Sequence, residues 1–138
     1  MIGLLAGGVA LAQIDTTAEP GRPSYDPATA MCMRTDKVNE KTCHRYPDAE
    51  LWPAACGLAV TQFLSSLDDN GRQGLRAVKY PDIKHLTALW GMSIRNRFGL
   101  WRGNAALISS CQAMRPEASS YPEDISLIII QEAWKQLQ

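Results

Sequence analysis

Three short marks of one composition, Tyr46-Pro47-Asp48, Tyr80-Pro81-Asp82 and Tyr121-Pro122-Glu123, constrain this chain most. Each precedes a stretch whose apolar residues recur at helical spacing. Proline suits a first helical turn, where its missing N–H has no partner to lose, and an acidic residue beside it complements the helix dipole. The text between the marks does not match, so they are recurring start signals and not a repeat. They predict an all-α fold of four or five helices.

The first predicted helix runs from near Pro53 to Leu67, with Cys56, Val60, Phe63, Leu64 and Leu67 on one stripe. Asp68-Asp69-Asn70-Gly71 is expected to stop it through a left-handed cap. A second helix is expected from about Asp82 to Phe98, with Ile83, Leu86, Trp90 and Ile94 facing inward. A third begins at Asn104, a good N-cap, carries Leu107, Ile108, Cys111 and Met114, and ends at Arg115-Pro116. The fourth opens on the capping-box pattern Ser120-x-x-Glu123 and continues to Leu137. Its run Ile125 to Ile130 is apolar except for Ser126, which predicts a central, buried helix. A weak helix around Pro27 to Met33 completes the set.

Residues Ile2 to Ala12 are apolar or glycine and close on Ala10-Leu11-Ala12, which reads as a secretory signal peptide, although no Lys or Arg precedes the run. The expected organisation is a cleavable leader over 1–12, a Pro/Gly/Thr-rich connector over 13–26 and one helical domain over 27–138. No stable membrane insertion is expected after leader removal, because spanning needs about 20 apolar residues. A domain of this size buries roughly two-thirds of its unfolded surface, enough for a core of its own.

Export sets the reading of Cys32, Cys43, Cys56 and Cys111. An even count in an oxidising compartment implies two disulfides, with three connectivities open. Cys56–Cys111 is preferred, since both lie in predicted apolar helices; closing that loop contributes about 4 kcal/mol in the chain-entropy model. Cys32–Cys43 then closes a local loop worth about 3 kcal/mol. No C-x-x-C is present, and adjacent Cys43 and His44 seldom face one ion, so no metal is expected.

The formal net charge is zero, but the middle is basic: Arg72 to Arg102 holds seven Lys/Arg against Asp82 alone. Pairing of these cations with the acidic flanks is the expected reading. A nucleic-acid partner is not expected, because no stacking series of aromatics is interleaved with them. The sequence has no phosphate loop, dinucleotide fingerprint, H-E-x-x-H or G-x-S-x-G, and no cofactor is expected. His85 beside Asp82 reads as a solvated pair, and paired cysteines offer no thiolate nucleophile.

The most distinctive text is Arg95-Asn96-Arg97-Phe98-Gly99-Leu100-Trp101. Gly99 is expected to end the second helix at positive φ. Arg95, Asn96, Gly99, Trp101 and Asp124 then admit two readings. One is a polar pocket beside an aromatic wall, serving ligand binding or hydrolysis. The other is a structural clamp, with Arg95 bridging to Asp124, Asn96 bonding backbone and Trp101 filling the core. The clamp is favoured, since ion-paired networks position charges without catalysis.

Residues 83–137 resemble a family of uncharacterised small bacterial domains with a helix ending R-N-x-W-G-L-W, a short helix, then H-P-D-D-M-S-x-I-I. Phe98 stands where that pattern has Trp, Tyr121 where it has His, and Ile125 where it has Met. The resemblance implies no activity, and any chemistry resting on that His is lost here. The expected role is a non-catalytic protein-binding module of the cell envelope, of inhibitor or immunity type by analogy of fold. Such a role calls for an exposed apolar or aromatic patch, with Trp52 or Trp101 partly accessible.

Overall fold

The computed structural model describes residues 48–138. The leader, the connector, the weak helix at 27–33 and Cys32, Cys43 and His44 lie outside the described residues. Within them the fold is helical, with no strand: α1 Cys56–Ser66, α2 Asp69–Ala77, α3 Gly91–Arg97, α4 Ala105–Met114 and α5 Pro122–Gln136. Three 3₁₀ segments, Ala49–Leu51, Tyr80–Ala88 and Leu100–Arg102, join them.

Helix α1 has no cap of its own at Ala55. The Cys56 N–H, one of the donors a helix start leaves unbonded, instead donates to Ser110 Oγ of α4 at 2.8 Å. Beside that bond, Cys56 and Cys111 form a disulfide with a Cα–Cα distance of 5.0 Å. Both cysteines are fully buried, and Val60 and Phe63 continue the same stripe inward. Helices α1 and α4 are thus joined covalently and by a capping hydroxyl from one turn.

Two sequence expectations need correction. Asp68 to Gly71 ends α1 but does not cap it; the chain turns extended at Leu67 and restarts at once. Asp68 Oδ1 accepts from the Gly71 N–H at 2.7 Å and so N-caps α2. Helix α2 is polar and buries only Leu75. The expected helix from Asp82 to Phe98 is also broken. It is a 3₁₀ segment up to Ala88, then α3 from Gly91. At the junction the Leu86 carbonyl accepts from both Leu89 N (3.0 Å) and Trp90 N (2.9 Å), so one oxygen serves the last 3₁₀ bond and the first α bond. The break falls where the backbone comes close to α5: a Cβ on Gly91 would lie 2.6 Å from Arg95 Nη1 and 3.4 Å from Ser126 Oγ. Ile83 and Ile94 stay buried on either side of it.

Helix α5 is the centre of the fold, touching α1, α3, α4 and the Tyr80–Ala88 segment. Ile125, Ile128, Ile129, Ile130 and Ala133 are buried, as the apolar run predicts. Its start differs from the expected capping box. Tyr121 occupies the N-cap position with no side-chain cap bond, and Pro122 begins the helix. The residue that organises this turn is Ser119, not Ser120. Its hydroxyl accepts from the Tyr121 N–H at 3.2 Å and donates to Asp124 Oδ2. At the other end the Trp134 indole N–H donates to the Val78 carbonyl at 2.7 Å, with Tyr80 edge-on to the Trp134 ring. Arg115, just past α4, pairs with Glu132 at 2.9 Å. Each face of α5 is therefore held by a different element.

Replacing both Cys56 and Cys111 by Ser is expected to leave a helical fold but remove about 4 kcal/mol of stability, by the loop-closure estimate for a separation of 55 residues. Urea denaturation followed by circular dichroism measures it; a loss under about 1 kcal/mol would show that the staple constrains nothing.

Candidate functional site

The chain reverses sharply between α3 and α4. Gly99 (φ 68°) and Gly103 (φ 85°) both take left-handed backbone, bracketing Leu100–Arg102. Gly99 also lies flat against the Trp52 indole, so a Cβ there would overlap the ring. Its carbonyl accepts from both Arg102 N and Asn104 N at 3.0 Å. Asn104 then closes the corner. Its Nδ2 donates to the carbonyls of Pro53 (2.9 Å) and Phe98 (2.8 Å), and its Oδ1 accepts from Leu107 N to cap α4. It is 6 % exposed, so these bonds are made away from water.

The charged part of the corner is not the expected one. Arg102, which the sequence does not single out, donates from Nη1 to both oxygens of Asp48 (3.0 and 2.9 Å) and from Nη2 to the Asn96 carbonyl at 2.6 Å. Its guanidinium lies 5.0 Å from the centre of the Trp52 ring, whose own N–H donates to Asp48 Oδ2 at 3.2 Å. Desolvation raises the Asp48 pKa, but Trp52, its own backbone amide and Arg102 together outweigh it and hold the carboxyl below its ordinary value. Glu132 behaves likewise: desolvation is opposed, and exceeded, by its bonds from Arg115 and Lys135.

The sequence-predicted residues take separate partners. Arg95 Nη1 donates to Ser126 Oγ at 3.2 Å, and Ser126 in turn donates to the Glu123 carbonyl, so Arg95 does not bridge to Asp124. Asp124 accepts from Ser119. Asn96 contributes its carbonyl while its side chain is exposed. Trp101 is 40 % exposed and stands edge-on to Tyr121; Leu100, its neighbour, fills the core instead. Among the described residues, these hydrogen bonds of Arg95, Asn96 and Asp124 share no common partner. Among the described residues Arg102 is the one cation between Arg72 and Arg102 with a carboxylate within 4.0 Å. Arg72 instead donates from Nε and Nη2 to the Leu64 carbonyl at the end of α1.

A concave site lies on the other side of α3. Phe63, Ser66 and Leu67 of α1 and its exit face Trp90, Ser93, Ile94, Arg97 and Phe98 across a cleft of about 180 Å³. Phe63 and Trp90 meet edge to face at 5.9 Å and form its floor. Ser93 and Arg97, one turn apart, stand on the exposed side of α3, and the Arg97 guanidinium lies 5.9 Å from the Phe98 ring centre. Leu89 and Met92, next in sequence to Trp90 and Ser93, are 65 % and 63 % exposed. This surface was not legible from sequence, because its two walls are some thirty residues apart. Among the described residues no group of three His, Cys, Asp or Glu is placed to hold a metal ion, and no helix is long and apolar enough to cross a membrane.

Comparison with known proteins adds one finding. The family model described as a domain of unknown function, DUF6794, matches residues 52–137, which takes in α1, α2 and Cys56 as well as the segment that carries the resemblance seen in the sequence. No curated protein and no solved structure matches the chain.

Gly99→Ala is expected to destabilise the fold by on the order of 3 kcal/mol, since left-handed backbone and the Trp52 ring both oppose a Cβ. A change in the urea midpoint corresponding to less than about 0.5 kcal/mol would contradict this packing. Acid should also destabilise. Asp48 and Glu132 have folded-state pKa values below their ordinary ones, so the stability they contribute is present at neutral pH. It is lost as pH falls from the ordinary carboxylate range, near 4, through the folded values. Glu132→Gln should flatten that fall in unfolding experiments between pH 7 and pH 2.5; an unchanged slope would remove Glu132 from the account.

Proposed function

Since the chain belongs to the DUF6794 family, a domain of unknown function, its role has to be read from its own surface, and we propose an exported, non-catalytic binding module of the cell envelope. It docks onto another protein by receiving one bulky apolar side chain in the cleft between α1 and α3. The observation that carries this reading is the cleft itself: three aromatic rings, aliphatic carbons, two hydroxyls and a guanidinium in one concave surface. Its volume, about 180 Å³, is below the roughly 300–1,000 Å³ of small-molecule sites and suits a single anchor side chain. Anchors of that kind carry most of the energy at protein interfaces. The lining offers hydroxyls and one guanidinium, groups that orient a partner more readily than they move protons. The buried Cys56–Cys111 disulfide suits an oxidising compartment and supports export.

Ser93→Trp places a bulky ring in the cleft from an exposed position. A partner recovered from envelope extract by the unaltered protein is expected to be lost, by at least tenfold, with the equally stable Ser93→Trp variant. Equal recovery by both proteins would contradict docking at this cleft.

A further inference from the structure

We propose that the cleft is selective for an acidic partner segment: the side chain that enters it is flanked by a carboxylate, and Arg97 is the residue that binds that carboxylate. The inference rests on the docking role given to the cleft and says what it recognises. Arg97 lines the cleft together with Phe98, and its guanidinium stands over the Phe98 ring at 5.9 Å. Phe98 is 2 % exposed, fixed in the core and held by the Asn104 bond to its carbonyl, so the ring is a rigid shelf for the cation. At that distance the edge N–H groups of the guanidinium are available to take a carboxylate through two parallel bonds.

Two further observations point to the same charge. Arg97 has no carboxylate within 4.0 Å among the described residues, in contrast to Arg102 and Arg115, which are paired at 2.9 Å. An exposed cation without a carboxylate of its own attracts an anionic segment and disfavours a basic one. Ser93, one helical turn before Arg97 and lining the same cleft, places a hydroxyl where it can donate to the same carboxylate.

The test is an NMR titration of the oxidised full chain with two probes, N-acetyl-phenylalaninate and N-acetyl-phenylalanine amide, which share the ring and differ in charge. Shifts of the Trp90 indole and of the Ser93 and Arg97 amides report binding. The carboxylate is expected to bind at least fivefold more tightly than the amide, and Arg97→Gln is expected to abolish that preference. Equal affinities in the unaltered protein, or a preference that survives Arg97→Gln, would overturn the acidic selectivity and leave the docking reading standing. No shift at Trp90 with either probe would overturn both.

Discussion

Asn104 is a buried amide with a partner at each end. Its nitrogen bonds two carbonyls from different parts of the chain, Pro53 before α1 and Phe98 after α3, while its oxygen caps α4. A satisfied hydrogen bond contributes only about 1 kcal/mol net, but a buried carbonyl left without its donor costs about 1–3 kcal/mol. Removing this one amide would strand two carbonyls and a helix-start N–H together. The rest of the corner depends on it. Phe98 keeps its place as a wall of the cleft, and Pro53 leads the chain into α1 so that Cys56 meets Cys111.

The ion pair at the same corner carries less. Arg102 and Asp48 are 30 % and 42 % exposed, so water screens the pair and its contribution to stability is small. Arg102 orders the corner more by what it covers, since it stacks on Trp52 and bonds the Asn96 carbonyl at the end of α3. Packing and buried hydrogen bonds fix the turn; charge decorates its outer side. This division leaves α3 with one face committed to the core through Ile94 and another, through Ser93 and Arg97, turned toward the cleft. Structure and proposed recognition thus use different faces of one short helix.

Much of the framework was legible in the sequence because it rests on local rules. The apolar stripe of α1, the Asn104 cap, the buried isoleucines of α5 and the Cys56–Cys111 pairing follow from spacing and residue type. What escaped depends on partners distant in the chain or on weak local signals. Helix α2 has one buried residue, Leu75, so no run of apolar residues marks it. The 3₁₀ segment Tyr80–Ala88 keeps Ile83 and Leu86 inward just as an α-helix would, and only the close approach at Gly91 marks the break. Arg95 was matched to Asp124 by charge, whereas the fold offers it the Ser126 hydroxyl. Asp48 and Arg102 are 54 residues apart, as remote a pair as any in the described chain's polar contacts that shape the corner. The cleft is of the same kind: neither wall means anything until α1 and α3 lie side by side.

The account stands on the corner being held by Asn104, and equilibrium urea denaturation of Asn104→Ala in the oxidised protein tests that most directly. Stranding two buried carbonyls and losing the α4 cap predicts a loss of about 3 kcal/mol or more. A loss below about 0.5 kcal/mol would mean that the corner, and the cleft wall it supports, is held by something else.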